Sequence, residues 1–465
     1  MYISKVSIKN FKCINGQLDV DFSIPNGTSG SGLTVFVGDN NTGKSTIFEA
    51  IDFVRNGTKK DVEELKNKHA SDSDCWVELT FIGDIESVIE SYVQQNKKDV
   101  LKKLVFIKEG KSYLRIKRET KEMKKVWIWD NNTKSFGDPN GIEGVIKPLF
   151  DLDFIWADTN PEDISKFGAT TICGRLLTDI CKPFQEGEAF EEFRRSHDKV
   201  FNDETGGLKS KLRELSVEVE NICKNQFGNV DLEFHFEELS IEKFYSNVKI
   251  RINDGAKTNM EEKGGGLQRA VALSLLQVYA NKIRHNPRST TKKPFYLFID
   301  EPEICLHPQA QFKLIESLLS LTSDNQIFIS THSPYIVKKS LNGNRNNFQL
   351  TRKENDLVTV TKAETTKIFG DKSPTWGEIN YFAYALVTIE FHNELYGFLE
   401  ANKKSELYGL KKTKTWKDAR PGKGEEVVSL QTYVRHSIHH PENTLNEPFA
   451  EEELKRSIEE MLALL

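Results

Sequence analysis

The chain has 465 residues, which is long enough for two or three domains with a substantial core. Charged residues make up 29% and hydrophobic residues 38%, so a soluble globular protein is expected, and no run approaches the roughly 20 apolar residues of a membrane span. The net charge of −5 argues against a uniformly basic coat for nucleic acid. The six scattered cysteines predict reduced thiols in a cytoplasmic protein without membrane contact.

The first part of the chain predicts a phosphate-binding loop. Alternating residues over 2–24 predict two antiparallel strands, and the apolar run "LTVFV" at 33–37 predicts a third. The next residues, "GDNNTGKST", contain the pattern G-x-x-x-x-G-K-[ST] and lead into a helical pattern. Backbone N–H groups of such a loop surround phosphate oxygens, while Lys44 reaches the β- and γ-phosphates of ATP and the Ser45 hydroxyl binds Mg²⁺. The residues predicted to contact ATP here are Gly38, Asn40, Asn41, Gly43, Lys44, Ser45 and Thr46.

A basic stretch follows the first helix, within residues that read as further strands. Residues 97–125 hold twelve lysines and arginines against four acids, with Phe106 and Tyr113 inside the stretch and Trp127 and Trp129 just beyond it. Such a stretch is a candidate for contact with a nucleic-acid backbone. It is equally compatible with an ordinary solvated face of a two-stranded ribbon.

The middle of the chain is predicted to be helical and then to return to strands. Residues 186–227 are charged with helical spacing, which predicts a helical insertion acting as a lid or a dimer contact. Strands are expected at 230–236 and 247–254, followed by a glycine turn, "KGGGLQR", that opens a long helix.

Two acids follow the apolar strand at 296–299. Because an acid at the carboxyl end of a buried strand faces the nucleotide, Asp300 is predicted to hold Mg²⁺ and Glu301 to orient and deprotonate the attacking water. His332, at the end of the next strand, is predicted to contact the γ-phosphate and hold the water-activating residue. The alternative is structural, with the acids capping a strand and His332 held by hydrogen bonds alone.

The alternation of strands and helices predicts an α/β fold: a mixed central sheet with flanking helices, antiparallel N-terminal strands and a helical insertion. From Glu378 onward the pattern is almost entirely helical, so an all-α domain is expected to begin near 368–376. The predicted division is an ATPase head (1–70 and 228–368), a β-rich arm (71–185), the helical insertion (186–227) and a C-terminal helical domain (369–465).

Four motifs, "GDNNTGKST", "KGGGLQR", "LFIDEPEICLHP" and "STHSP", occur in this order and resemble the ATPase head of the ABC superfamily. The chain is most similar to the RecF, SMC and especially the OLD-type ATPases of prokaryotic anti-phage systems. The resemblance implies ATP and Mg²⁺ as cofactors and a homodimer or higher homo-oligomer with ATP between two heads. It also implies that Gly264, Gly265 and Gly266 form a signature loop that closes on the ATP of another subunit. Gly264 stands where that family has a serine, which implies slow hydrolysis or a clamp-like use of ATP.

The resemblance leaves open what ATP hydrolysis controls. OLD nucleases carry a Toprim domain recognised by a later D-x-D, and none occurs in 345–465, so a separate effector nuclease is the expected partner. In the same region Arg435 and His440 form R-x₄-H, which resembles the motif of HEPN ribonucleases, with Glu390 or Glu394 as an accompanying acid. The readings are therefore a regulatory ATPase of anti-phage defence, an ATP-gated ribonuclease, or a DNA-repair ATPase.

Overall fold

The computed structural model describes residues 1–58, 60–70, 74–138, 143–160, 163, 166, 171–203, 207–227, 231–232, 247–284, 293–341, 348–362, 368–420 and 422–465. The strands in chain order are β1 (Tyr2–Lys9), β2 (Gln17–Asp21), β3 (Leu33–Val37), β4 (Trp76–Ile82), β5 (Phe106–Lys108), β6 (Lys111–Glu119), β7 (Trp127–Asp130), β8 (Ser135–Gly137), β9 (Asp151–Ile155), β10 (Arg251–Asn253), β11 (Lys257–Asn259), β12 (Phe295–Asp300), β13 (Gln326–Thr331), β14 (Phe348–Glu354), β15 (Leu357–Lys362), β16 (Lys412–Lys417) and β17 (Glu425–Ser429).

The helices in chain order are α1 (Lys44–Asn56), α2 (Val62–Leu65), α3 (Ile85–Tyr92), α4 (Gln95–Lys102), α5 (Glu143–Leu149), α6 (Ile172–Gln185), α7 (Glu188–Phe201), α8 (Leu208–Phe227), α9 (Gly265–Arg284), α10 (Pro308–Leu321), α11 (Pro334–Ser340), α12 (Trp376–Tyr384), α13 (Ile389–Asn402), α14 (Lys404–Tyr408), α15 (Leu430–His439) and α16 (Glu451–Leu462). In the part of the chain that the structure describes, no helix is both long and apolar enough to span a membrane.

The central sheet has the strand order β15-β14-β3-β13-β12-β9. Strands β14, β3, β13, β12 and β9 run parallel, and β15 pairs antiparallel at the edge. Every residue of β3, β12 and β13 is buried, and apolar residues dominate β3 and β12, because strands of a covered parallel sheet need no polar face. The mixed α/β fold expected from the sequence is confirmed.

A second sheet is antiparallel and contains β2-β1-β4-β6-β7-β8, with β5 paired to β6. Helix α1 packs against both sheets. Its Phe48 ring lies 5.6 Å from Phe36 and 5.2 Å from Phe298 in the central sheet, and its Phe53 ring lies 5.7 Å from Phe11, which follows β1. Each such ring, when fully buried, stabilises the fold by about 2 kcal/mol, so α1 is held firmly where the phosphate loop ends.

Two findings differ from the predicted β-rich arm over 71–185. The strands β4 to β8 continue the sheet of β1 and β2 instead of forming a separate layer, since β4 pairs with β1 along its whole length. Strand β9 pairs with β12 in the central sheet. Both differences arise from long-range strand pairing, which a local sequence pattern does not encode.

The chain divides into two compact units, residues 1–158 with 281–465, and residues 159–280. The second unit contains α6 to α8, the hairpin β10-β11 and the first part of α9. Helices α7 and α8 match the predicted helical insertion in position, whereas most of the strand predicted at 230–236 lies outside the described residues. The role of the insertion as a lid or dimer contact stays a prediction.

The C-terminal part contains five helices among its described residues, α12 to α16, but it also contains the hairpin β16-β17, so the prediction of an all-α domain is wrong on this point. The hairpin has a small core of its own, in which Trp416 and Val428 are buried beside Tyr433. Strand β16 reads "KTKTWK", and its single buried position gives almost no apolar signal in the sequence. The helices share a larger core that includes Phe391, Leu395 and Ile458.

Candidate nucleotide-binding site

The phosphate loop joins β3 to α1, and two of its glycines are required by its surroundings. A Cβ atom on Gly38 would lie 2.2 Å from the backbone oxygen of Thr351. Gly43 has φ +91°, in the left-handed region, and its Cβ would lie 3.2 Å from Cys13 Sγ. No side chain caps the first turn of α1, so its N–H groups and the helix dipole remain suited to an anion. The loop has the form predicted for a phosphate cradle.

Lys44 is almost fully buried, at 5% exposure. Its ammonium donates to the carbonyl oxygens of Gly38 at 3.1 Å and Asp39 at 2.9 Å. Burial lowers the pKa of Lys44 to about 8, although the charges of Glu301, Asp300 and Asp39 act in the opposite direction. A buried cation held by two neutral carbonyl groups is well placed to exchange them for a phosphate oxygen.

Ser45 and Asp300 are brought into direct contact at the edge of the central sheet. The Ser45 hydroxyl donates to the two carboxylate oxygens of Asp300 at 3.1 and 2.9 Å. The Ser330 hydroxyl also donates to Asp300, which is 5% exposed. One hydroxyl and one carboxylate oriented in this way form the donor set that Mg²⁺ prefers beside a phosphate chain. The two predicted Mg²⁺ ligands therefore fit the ion.

Glu301 and His332 lie beside this pair, at the ends of adjacent strands. Glu301 has φ +47° and its backbone N–H donates to the Ser330 carbonyl oxygen at 3.0 Å. The His332 Nε2 atom lies 3.7 Å from the Glu301 carboxylate. Burial lowers the pKa of His332, and the charge of Lys44 acts in the same direction, so the imidazole is neutral at physiological pH.

The remaining predicted loop residues are less confined. Asn40 and Asn41 are exposed, and Asn41 has φ +61°. Cys13 Sγ lies 3.2 Å from the Thr46 hydroxyl oxygen. Cys13 also lines a cavity of about 320 Å³ whose other walls come from β14, the β14-β15 turn and residues 63–69.

Ser45 and Asp300 line a larger cavity of about 490 Å³. Three acids in its lining, Glu49, Asp52 and Asp158, were missed by sequence reasoning. Asp158 comes just after β9, and its place beside β12 follows from the pairing of those two strands, which is why no motif search finds it. The Glu49 carboxylate is paired with Lys12.

A further missed residue, Glu303, lies two positions after Glu301. Its carboxylate accepts the His332 backbone N–H at 2.7 Å and the Thr331 hydroxyl at 2.9 Å. The only sequence signal is the second acid of "DEPE", which has no conspicuous pattern of its own.

The predicted signature loop belongs to the second unit. Gly264 and Gly265 are exposed and Gly266 is half-buried, and α9 begins at Gly265. The Gln268 side chain donates to the Lys263 carbonyl oxygen at 2.8 Å and so fixes the approach to the helix. A Cβ atom on Gly264 or Gly265 would meet nothing within 4 Å, so packing among the described residues does not account for these glycines.

The predicted ribonuclease residues have different neighbours among the described residues. The Arg435 guanidinium lies over the Tyr396 ring at 4.6 Å, whereas the His440 ring lies 6.4 Å from Trp416 and its Nδ1 atom 3.2 Å from the Glu442 carboxylate. Positions five apart on a helix point in directions about 140° apart. The accompanying acid is also engaged elsewhere, since Glu394 accepts the Thr375 hydroxyl at 2.5 Å. Glu390, the alternative acid, lies in the first turn of α13.

The basic stretch at 97–125 is distributed over α4, β5 and β6, and acids from other segments pair with much of it. Arg115 pairs with Glu78 at 2.6 Å, and Lys98 and Lys102 pair with Glu90 at 3.1 and 2.6 Å. Further pairs, which also reduce the positive potential, are Lys117–Glu119, Lys121–Asp74, Lys125–Glu122 and Lys125–Asp138. Nucleic-acid contact through this stretch stays a prediction.

The loop, the serine–aspartate pair and the mixed sheet together define a P-loop nucleotide-binding protein. The chain belongs to the AAA ATPase domain family, whose model matches residues 1–139 and 96–337. It is 26% identical over 317 residues to the Old nuclease of Escherichia phage P2, covering 65% of this chain and 53% of that protein. It is also 22% identical over 169 residues to the OLD nuclease of Thermus scotoductus, covering 35% of this chain and 30% of that protein.

The chain therefore spans about half the length of the phage P2 relative and less of the Thermus relative. The resemblance to the OLD-type ATPases is confirmed by the family match and by these relatives. Similar solved structures include an SMC head bound to the C-winged helix domain of ScpA, at 16% identity and a TM-score of 0.45, covering 79% of this chain and 100% of that one. The SMC head domain of Thermotoga maritima matches at 14% identity and a TM-score of 0.36, covering 78% and 99%.

Proposed function

We propose that this OLD-like ATPase hydrolyses ATP with Mg²⁺ and uses the cycle to sense infection and regulate an effector nuclease in anti-phage defence, in the cytoplasm. The observation that carries the hydrolytic part is the contact between Ser45 and Asp300 at 2.9 Å, with Glu301 next in the chain. Ser45 and Asp300 come from distant parts of the head and meet at the edge of the sheet where the strands end. Glu301 follows Asp300 directly, so the Mg²⁺ ligands and the catalytic base lie side by side, as ATP hydrolysis requires.

Each residue of the nucleotide-binding site has its own role in the proposed hydrolysis of ATP. The amides of the phosphate loop and the Lys44 ammonium bind the β- and γ-phosphates, and the Cys13 cavity lies where the nucleoside part would extend. Bound Mg²⁺ would neutralise phosphate charge from its place on Ser45 and Asp300. The Glu301 carboxylate accepts a proton from the attacking water as the water oxygen bonds to the γ-phosphorus and the bond to the β-phosphate oxygen breaks. His332, as a neutral imidazole, has one ring N–H, which donates to a γ-phosphate oxygen, and the ring lies beside the Glu301 carboxylate and limits its movement.

Dimerisation through ATP is supported by the open signature glycines. Because no described residue beyond their own chain neighbours and helix backbone would lie within 4 Å of a Cβ atom on Gly264 or Gly265, a close approach by another molecule is the better reason for glycine. In the proposed assembly, Gly264, Gly265 and Gly266 of one subunit close on the γ-phosphate held by its partner. The missing signature serine favours slow hydrolysis, so ATP chiefly holds the assembly together.

The regulatory role is supported by the relatives. Both are named as nucleases, and the chain matches only part of each of them. We propose that this ATPase holds an effector nuclease and releases it. The ribonuclease alternative has less support because Arg435 and His440 face different neighbours, and no observation favours the DNA-repair alternative over the other two.

The test is ATP turnover and ATP affinity in Glu301→Gln. General-base catalysis contributes about 10²- to 10⁴-fold, so turnover should fall by at least about 100-fold while ATP affinity stays within about threefold. Glu354→Gln, at an exposed end of β14, is the matched control and should leave both unchanged. Unchanged turnover in Glu301→Gln would refute the assignment of the base.

A further inference from the structure

Glu303 is a partly buried carboxylate beside the site to which the proposed hydrolysis gives no role. Burial raises its pKa, because the charged form loses water, and the nearby charge of Glu301 adds to this effect. A carboxylate withdrawn from water is stable only when its oxygens accept good hydrogen bonds. The partners of those oxygens therefore indicate what the side chain does.

Both oxygens accept hydrogen bonds from the segment that carries His332. One accepts the His332 backbone N–H at 2.7 Å, and the other accepts the Thr331 hydroxyl at 2.9 Å. The Thr331 hydroxyl oxygen in turn accepts the Ser333 backbone N–H at 2.9 Å. One carboxylate thus fixes three consecutive residues, and with them the point from which the imidazole reaches Glu301.

The same segment is tied to the first helix of the C-terminal part. Tyr384, the last residue of α12, donates its phenol hydroxyl to the Thr331 carbonyl oxygen at 3.4 Å. The Arg352 side chain donates to the Phe382 carbonyl oxygen at 2.6 Å, which holds the end of α12 on β14. Two bonds therefore connect α12 to strands that lie on either side of β3.

We propose that Glu303 is a positioning residue that holds His332 beside Glu301, and that Tyr384 couples this segment to α12. The inference rests on the proposed ATPase function. It adds a physical connection between the nucleotide-binding site and the C-terminal part. Any shift of Thr331 that accompanies ATP binding changes the bond to Tyr384, so the C-terminal part responds to the nucleotide.

The first test measures ATP turnover and KM in Glu303→Ala and Glu303→Gln. Small misplacement of a reacting group costs up to about 100-fold, so the alanine variant should lose about 30-fold in kcat while KM stays within about twofold. The glutamine variant keeps one acceptor for the His332 N–H and should fall between alanine and wild type. Glu316→Gln on α10, whose carboxylate pairs with Lys339, is the control and should match wild type.

A kcat within twofold of wild type in Glu303→Ala, or an equal loss of ATP affinity, overturns the positioning role. Failure of the alanine variant to fold does not remove the test, because glutamine is nearly isosteric. Lack of turnover in the wild-type protein would refute the proposed function itself. Normal wild-type turnover with unaffected Glu303 variants would refute only this inference.

The second test compares amide hydrogen exchange over 376–384, with and without ATP, in Glu301→Gln and in Glu301→Gln/Tyr384→Phe. The single variant keeps ATP bound and should show a nucleotide-dependent change at α12. Loss of one weak hydrogen bond should reduce that change about threefold. An identical change in both proteins, or none in either, overturns the coupling.

Discussion

Two pairs of polar residues that the sequence predicts to act together have different surroundings in the structure. Ser45 and Asp300 are far apart in sequence, yet they meet at 2.9 Å because parallel strands deliver their ends to one edge of the sheet. Arg435 and His440 are five residues apart, yet they contact Tyr396 and Glu442 respectively. The spacing of two residues in the sequence is therefore informative only when a defined helix or strand sets the direction in which each side chain points.

The largest effect is expected at the nucleotide-binding site, where Ser45 and Asp300 meet. Lys44→Ala removes a buried ammonium that would form charged hydrogen bonds to phosphate, and such bonds contribute about 3 kcal/mol, or about 100-fold in affinity. ATP affinity measured by calorimetry should fall by that factor or more. Lys339→Ala, on the neighbouring helix α11, is the control and should bind ATP normally. Unchanged affinity in Lys44→Ala would remove the distinction between the two motifs.

The next effect concerns the signature loop. Gly265→Val adds a branched side chain where the loop has open space, so the isolated chain should fold and bind ATP as before. If the loop must approach a phosphate of another subunit, the added side chain should raise the activation free energy by about 2 kcal/mol. Turnover should then fall roughly 30-fold. Gly424→Val, at another open glycine, is the control. Equal turnover in both variants would contradict the shared site.

A third effect follows from the pKa of Lys44, which burial lowers to about 8. The protonated form binds phosphate, and it predominates below that pKa and is lost as the pH rises through it. ATP affinity should therefore fall about tenfold between pH 7 and pH 9. In Lys44→Met, which has no ammonium to lose, affinity should be low and nearly independent of pH over the same range. A flat wild-type profile would show that the ammonium is not needed.

The smallest effects are expected at the C-terminal motif. Arg435→Ala removes the contact with the Tyr396 ring and should lower the free energy of unfolding by about 1 kcal/mol, seen as a shift of the urea midpoint. His440→Ala should leave ATP turnover and stability unchanged. If RNA is cleaved and the cleavage requires both Arg435 and His440, the contrast between the two motifs fails. A second chain would then have to complete the site of these two residues.

Much of the nucleotide-binding site was predictable from the sequence. Its residues follow apolar strands, and the carboxyl ends of parallel strands meet at one edge of the sheet. Sequence reasoning missed Asp158 and Glu303, which reach the site through strand pairing and a turn without a recognisable pattern. It also did not identify β9 as a strand of the central sheet, since "DLDFI" is too short to show which neighbour it pairs with.

Counting charges along the chain overstated the basic stretch at 97–125. The acids that pair with Arg115, Lys102 and Lys121 come from β4, α3 and the segment before β4. A linear window includes neighbours in sequence but not neighbours in space, so its net charge is not the charge of a surface.

The position of β3 has a consequence for the order in which the protein is made. Its five apolar residues pair with β13 and β14, and the Ser45–Asp300 bond joins positions 255 residues apart. A growing chain therefore exposes both edges of an apolar strand until more than two thirds of it has been synthesised. Such edges favour aggregation, and long-range pairing slows folding. We expect the nascent chain to depend on chaperones, and ATP to bind only after β13 has been synthesised.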